Sequence, residues 1–130
     1  MIALDSSAIV AIALREPEAD HYLDVIALRQ AIIGAPTLVE THLVLSRRTH
    51  AFHDFLRRFV SPPVVHLIAF TPEMYAVATD AFDRYGKGRG HRAQLNFGDC
   101  LAYAVAKARD VPLLYKGADF GRTDIRPAFP

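Results

Sequence analysis

Four short apolar runs, Ile2–Leu4, Ala31–Gly34, residues 64–70 and residues 111–115, are separated by much longer stretches that carry helical patterning rather than tight-turn signals. Antiparallel neighbours can be joined by a two-residue hairpin, whereas parallel neighbours need a crossover of a dozen or more residues, usually a helix. The alternation therefore predicts an α/β fold with a central four- or five-stranded parallel sheet flanked by helices on both faces. No internal repeat, linker or low-complexity tract interrupts it, so residues 1–130 read as a single domain.

The intervening segments carry their own start and stop signals. Asp5-Ser6-Ser7 ends the first run with three residues that favour helix N-caps, predicting a helix over about 7–14. Pro17 suits a first helical position, and Tyr22, Leu23, Ile26 and Ala27 recur on one face of a second helix. After Ala35-Pro36 a helix over 37–49 carries Leu38, His42 and Leu45 along one stripe. Phe52, Phe55, Leu56 and Phe59 have i, i+3, i+4, i+7 spacing, and Ser61-Pro62-Pro63 ends that helix. Thr71-Pro72-Glu73 supplies a cap, a first-turn proline and a first-turn acid ahead of the amphipathic set Met74, Val77, Ala78, Ala81, Phe82 and Tyr85. A last long helix spans 97–109, and a polar tail follows residue 115.

Composition matters where it excludes functions. A chain of 130 residues buries about 65–70% of its unfolded surface and needs no disulfide to hold a core. The lone Cys100 sits in an alanine-rich apolar run, reads as buried, and fits a reducing compartment. The start Met-Ile-Ala-Leu-Asp has no basic n-region, and no apolar run approaches the ~20 residues of a spanning helix. These features predict a cytoplasmic protein with no membrane contact. Fifteen Lys and Arg against fourteen Asp and Glu leave a net charge of +1, so any nucleic-acid footprint must be local.

Asp5, Glu40, Asp99 and Asp119 each stand at or near a junction between an apolar run and a helix. Singly, each has another reading. Asp5 can cap a helix, Thr37 to Glu40 and Asn96 to Asp99 match capping boxes, and Asp119 can be a turn residue. Jointly, the carboxyl ends of parallel strands are where open α/β sheets form sites. Four carboxylates gathered there would repel by about 4 kcal/mol per pair at ~4 Å and an effective dielectric near 20. A divalent cation removes that repulsion, and an all-oxygen set without Cys or His suits magnesium or manganese. Such an ion serves phosphodiester hydrolysis. The stretch Gly86-Lys87-Gly88-Arg89-Gly90-His91-Arg92 adds mobile cations for a polyanionic backbone, or is a solvated loop. The six histidines form no ligand-spaced motif, and neither a phosphate-binding glycine loop nor a nucleophile elbow is present.

Taken in order, Met1-Ile2-Ala3-Leu4-Asp5-Ser6-Ser7-Ala8, the helix start from Pro36-Thr37 to Glu40, Tyr85-Gly86-Lys87-Gly88, Leu95-Asn96-Phe97-Gly98-Asp99-Cys100 and Leu113-Leu114-Tyr115-Lys116-Gly117-Ala118-Asp119-Phe120 resemble the PIN-domain ribonucleases, specifically VapC-type toxins of type II toxin-antitoxin pairs. The resemblance covers essentially the whole chain. It implies an endoribonuclease whose pocket is Asp5, Glu40, Asp99 and Asp119, with Mg2+ or Mn2+ held chiefly by Asp5 and Asp99. Glu40 is then a ligand or a water-orienting base, Asp119 a weaker contributor, and Ser6 a hydroxyl that orients the pocket. Lys87, Arg89 and Arg92 steady the RNA strand. Also implied are a homodimer and a VapB-type antitoxin that blocks the pocket, with DNA reached only through the antitoxin. Many relatives carry two adjacent acids where this chain has Ala118-Asp119, which leaves Asp124 as the alternative fourth acid. Two other classes were open: a phosphate-accepting receiver domain, which would need an acceptor Asp after the third run where Thr71-Pro72 stands, and a PIN-fold binding module without catalysis.

Overall fold

In the computed structural model, which describes residues 1–129, the strand β1 (Ile2–Leu4) alternates its side chains between two cores. Ile2 and Leu4 pack into one core and Ala3 into the other, as the period of two requires. The elements that follow are α1 (Ser6–Ala13), α2 (Ala19–Arg29), β2 (Ala31–Gly34), α3 (Ala35–Ser46), α4 (Phe52–Phe59), β3 (Val65–Ile68), α5 (Pro72–Tyr85), α6 (Phe97–Ala108), β4 (Leu113–Leu114) and a 3-10 turn, Phe120–Arg122. All strand pairs are parallel, in the order β3-β2-β1-β4. Helices α1 to α4 supply the core around Ile9, Tyr22, Leu45 and Leu56, while α5 and α6 supply the one around Met74, Ala81 and Tyr103. A four-stranded parallel sheet between two helical layers is the predicted α/β architecture.

The topology fixes where a site can form. From β1 the chain moves to β2 and then β3 on one side, and returns to β4 on the other, so the strand order reverses at β1. The carboxyl end of β1 is thus the switch point, where a crevice opens between helices leaving in opposite directions. Asp5 is the residue placed there.

Several boundaries differ from the sequence expectations, each for a local reason. Pro17 does not open α2; it lies in a turn, and the first helical hydrogen bond runs from the Tyr22 N–H to the Glu18 carbonyl. Helix α3 begins two residues early, directly at the end of β2 with Gly34 as N-cap, because Pro36 is tolerated in a first turn that needs no N–H donor. Thr37 is consequently inside the helix, where its carbonyl accepts the Thr41 hydroxyl at 2.8 Å, and no capping box with Glu40 forms. Strands β3 and β4 are shorter than their apolar runs. The polar tail is structured: Phe120 and Ile125 are buried, and the Leu113 N–H and carbonyl bond to Arg126 and Ala128.

Candidate active site

Asp5 is held by its own helix. Its backbone is the N-cap of α1, its N–H donates to the Leu114 carbonyl at 3.0 Å, and its Oδ2 accepts both the Ser7 N–H at 3.0 Å and the Ser7 hydroxyl at 2.6 Å. Both donations fall on one oxygen, and the other, Oδ1, is buried with no hydrogen-bond partner. The residue is only 3% exposed. Burial raises its pKa to about 7, opposed by the Ser7 bonds and reinforced by the charges of Asp99 and Glu40. Asp5 therefore caps α1 through Oδ2 and leaves Oδ1 uncommitted.

Glu40 comes from α3 and is half-buried, with Oε1 also buried and without a partner. Its carboxylate lies against Gly98, the second residue of α6, so closely that a Cβ at position 98 would overlap it. Only glycine admits this approach. An acid over a helix N-terminus is also favoured by the helix dipole. Asp99 completes a capping box at that terminus: Asn96 Oδ1 accepts the Asp99 N–H at 2.8 Å, and Asp99 Oδ2 accepts the Asn96 N–H at 3.0 Å. Burial raises the Asp99 pKa, the Asn96 hydrogen bond lowers it, and the charges of Asp119 and Glu40 raise it further. Asp119 is exposed, at the start of the 3-10 turn, and makes no capping bond.

The four acids are thus electrostatic neighbours, Asp5 feeling Asp99 and Glu40, and Asp99 feeling Glu40 and Asp119. Among the described residues no three His, Cys, Asp or Glu side chains are gathered closely enough to form a ready-made metal shell. The fit to a hard divalent cation rests on two of the three orphaned carboxylate oxygens, Asp5 Oδ1 and Glu40 Oε1; the third, Glu18 Oε1, lies at the start of α2. Buried polar atoms are otherwise almost always paired, and oxygen donors are what magnesium and manganese take. Asp124 is elsewhere engaged, accepting from the Tyr103 hydroxyl at 2.7 Å and the Lys107 ammonium at 3.0 Å. Of the two candidates for fourth acid, Asp119 is the one whose charge reaches Asp99.

Two functional features were missed in the sequence. The hydroxyl that meets Asp5 belongs to Ser7, not Ser6; an N-cap side chain faces the amide two residues on, which would have pointed to Ser7. Gly98 stood inside a recognised motif without its steric role. Around the site, the loop after α5 is closed by bonds from the Lys87 N–H to the Leu95 carbonyl and from the Leu95 N–H to the Tyr85 carbonyl. Gly88 and Gly90 turn its tip at φ +83° each. Lys87, Arg89 and Arg92 are all exposed on it. Arg89 lies 4.0 Å from Asp83 and over the Phe82 ring. The loop is tied to the segment bearing Asp119 by Arg122, which donates to the Arg92 carbonyl at 3.3 Å.

The PIN domain family model matches residues 2–126. The chain is 37% identical over 127 residues to ribonuclease VapC28 of Mycobacterium tuberculosis, covering 96% of both proteins. Its fold is similar to that of M. tuberculosis VapC20, described as a sarcin-ricin loop cleaving toxin, with a TM-score of 0.79 at 18% identity over the whole of both chains. It is similar as well to VapBC2 from Rickettsia felis bound to a promoter DNA fragment, with a TM-score of 0.74 at 19% identity, covering 98% of this chain and 96% of that one.

Proposed function

The chain belongs to the PIN-domain family, and from that premise we propose that it is a metal-dependent endoribonuclease, the toxin of a type II toxin-antitoxin pair. The observation that carries the reading is the buried Asp5 at the sheet's switch point, its Oδ1 unpaired beside Glu40 and Asp99. Asp5 and Asp99 would hold Mg2+ or Mn2+, which supplies Lewis-acid neutralisation of the phosphate and a water of lowered pKa. Glu40, anchored against Gly98, orients the attacking water and receives its proton through Oε1. As water adds to phosphorus, the bond to the leaving ribose oxygen breaks and that oxygen takes a proton from solvent, to which Glu40 returns the one it received. Asp119 would add an outer negative charge beside Asp99. Lys87, Arg89 and Arg92 engage backbone phosphates and leave base choice to the shape of the RNA.

The relatives' names support a VapB-type antitoxin as partner, its basic side chain meeting the orphaned carboxylate oxygens. DNA is then contacted only through the antitoxin. A homodimer is supported by an apolar face that crosses α3, the segment after β3, α5 and α6, with Val39, Leu43, Tyr75 and Phe97 exposed, the last at 80%. Apolar patches of this kind mark protein contacts. Among the described residues no helix is long and apolar enough to cross a membrane, in keeping with the cytoplasmic setting proposed here.

The test is cleavage of a mixed structured RNA pool by the purified chain, with Mg2+ or Mn2+, with chelator, and with Asp99→Asn. The expected result is cutting that needs both metal and Asp99. Cutting by folded Asp99→Asn at the wild-type rate refutes the assignment, and no cutting by metal-bound wild type favours the binding-module reading instead.

A further inference from the structure

Lys116 lies outside the carboxylate group, two residues beyond the end of β4, yet it is connected to it through hydrogen bonds. Its ammonium sits between Glu16 and Glu18, 3.3 Å from each. Its backbone N–H donates to Ser7 Oγ at 2.9 Å. An N–H can only donate, so it occupies a lone pair of the hydroxyl and leaves the hydroxyl proton free to go elsewhere. That proton goes to Asp5 Oδ2, 2.6 Å away, the same oxygen that already accepts the Ser7 N–H. With both donors on Oδ2, Oδ1 stays unpaired. The segment has a second attachment one residue earlier, where the Tyr22 hydroxyl donates to the Tyr115 carbonyl at 3.2 Å.

We infer that Lys116 is a positioning residue for the metal site: clamped between Glu16 and Glu18, it fixes the Ser7 hydroxyl so that Asp5 presents Oδ1 to a divalent cation. The inference rests on the metal-nuclease reading above and extends the site to the turn between α1 and α2, which carries none of the four acids. A ligand carboxylate whose second oxygen is hydrogen-bonded holds its orientation, and loss of such outer partners typically weakens metal binding about tenfold to a hundredfold. The clamp itself is partly exposed, and exposed ion pairs add little to global stability. Removing it therefore separates positioning from folding.

The experiment is Mn2+ titration followed by electron paramagnetic resonance, with RNA cleavage and thermal unfolding measured on the same samples. Wild type is compared with Lys116→Ala, Lys116→Arg, the Glu16→Gln/Glu18→Gln double variant and Ser7→Ala. Lys116→Ala and the double variant are expected to bind Mn2+ about tenfold more weakly and to lose kcat with little change in KM for RNA. Lys116→Arg keeps wild-type affinity to within about threefold, since a guanidinium can bridge the same two carboxylates. In the Ser7→Ala background, Lys116→Ala adds nothing, because the two act through one hydroxyl. If Lys116→Ala fails to fold, the double variant, which keeps the lysine, decides by the same affinity criterion. Undiminished Mn2+ affinity in these variants overturns the inference alone. A wild type that binds no Mn2+ overturns both this inference and the metal-nuclease reading.

Discussion

Replacing Asp5 with Asn should make the metal-free protein more stable at neutral pH than at acid pH relative to wild type, although it removes a residue central to the site. The carboxyl titrates near about 7 in the folded chain, against an ordinary 3.8. At about 1.4 kcal/mol per tenfold change in proton affinity, burying its charge disfavours folding by ~4 kcal/mol once both states are ionised. The sign follows from proton counting. A raised folded pKa means that the native state binds the proton more tightly, so the contribution to stability is intact below pH 3.8 and is lost as pH rises through about 7. Asn carries no charge, so its stability lacks this slope. Its amide does bring a pH-independent loss, since the –NH2 group would occupy the position of the unpartnered Oδ1. That loss cancels when two pH values are compared. Urea unfolding in chelator at pH 5 and pH 8 should show the variant gaining on wild type by ~2.6 kcal/mol between them. With Mn2+ at a hundredfold excess over Kd, wild type alone gains a further ~2.7 kcal/mol. A stability difference between the two proteins that stays flat from pH 5 to pH 8 would refute the account of Asp5 as a buried, partly unpaired carboxylate.

Other perturbations separate the remaining features. Gly98→Ala should leave thermal stability unchanged or slightly raised, since alanine is favoured over glycine in helices by about 1 kcal/mol, while the new methyl displaces the Glu40 carboxylate and cleavage falls by about a hundredfold. Unchanged kcat in Gly98→Ala would mean that Glu40 has no catalytic task. Leu43→Glu, at a half-exposed position on the apolar face, should convert a dimer to monomer in sedimentation equilibrium without altering the circular dichroism spectrum. A monomeric wild type would remove the reading of that face. Cys100, buried and with its thiol pKa pushed up to about 11 by burial and then by Asp99, should resist maleimide in the native protein at pH 8 and react once urea unfolds it; rapid native labelling would contradict its placement.

What could be read from the sequence, and what could not, divides along the range of the interactions. Local signals were faithful where one residue type answers one backbone need. Thr71 caps α5 with its hydroxyl on the Met74 amide, and Asn96 with Asp99 forms the expected reciprocal box. The same grammar misled at Thr37 and Glu40, because β2 runs into α3 without a turn and the helix is already under way when the apparent cap is reached. Electrostatic coupling between the acids followed from parallel topology, since each stands at a junction on one edge of the sheet. That Asp119 rather than Asp124 lies within electrostatic reach of Asp99 did not: Tyr103 and Lys107, one turn apart on α6, claim Asp124. Nor could spacing reveal that Ser7, which the capping rule already singles out, holds its hydroxyl on Asp5 while accepting from Lys116, a partner 109 residues away. The tail was read as polar because Phe120, Ile125 and Phe129 are scattered among charges, and only the packing shows that Phe120 and Ile125 enter the core of α5 and α6 while Phe129 packs against the other one.

The direct passage from Gly34 into α3 has a consequence for how such a protein can diversify. With no spacer between strand and helix, the direction of β2 dictates the position of Glu40, and an inserted residue would rotate the acid away from Gly98. The loop between α5 and α6 has the opposite character. Its base is closed by two backbone bonds between Tyr85, Lys87 and Leu95, so residues added between Gly88 and Gly90 leave both closures in place. On the proposed function, chemistry would thus be written into segments that cannot change length, and contact with RNA into one that can. Exchanging residues 88–93 between relatives is accordingly a route to altered target choice with the hydrolytic machinery left intact.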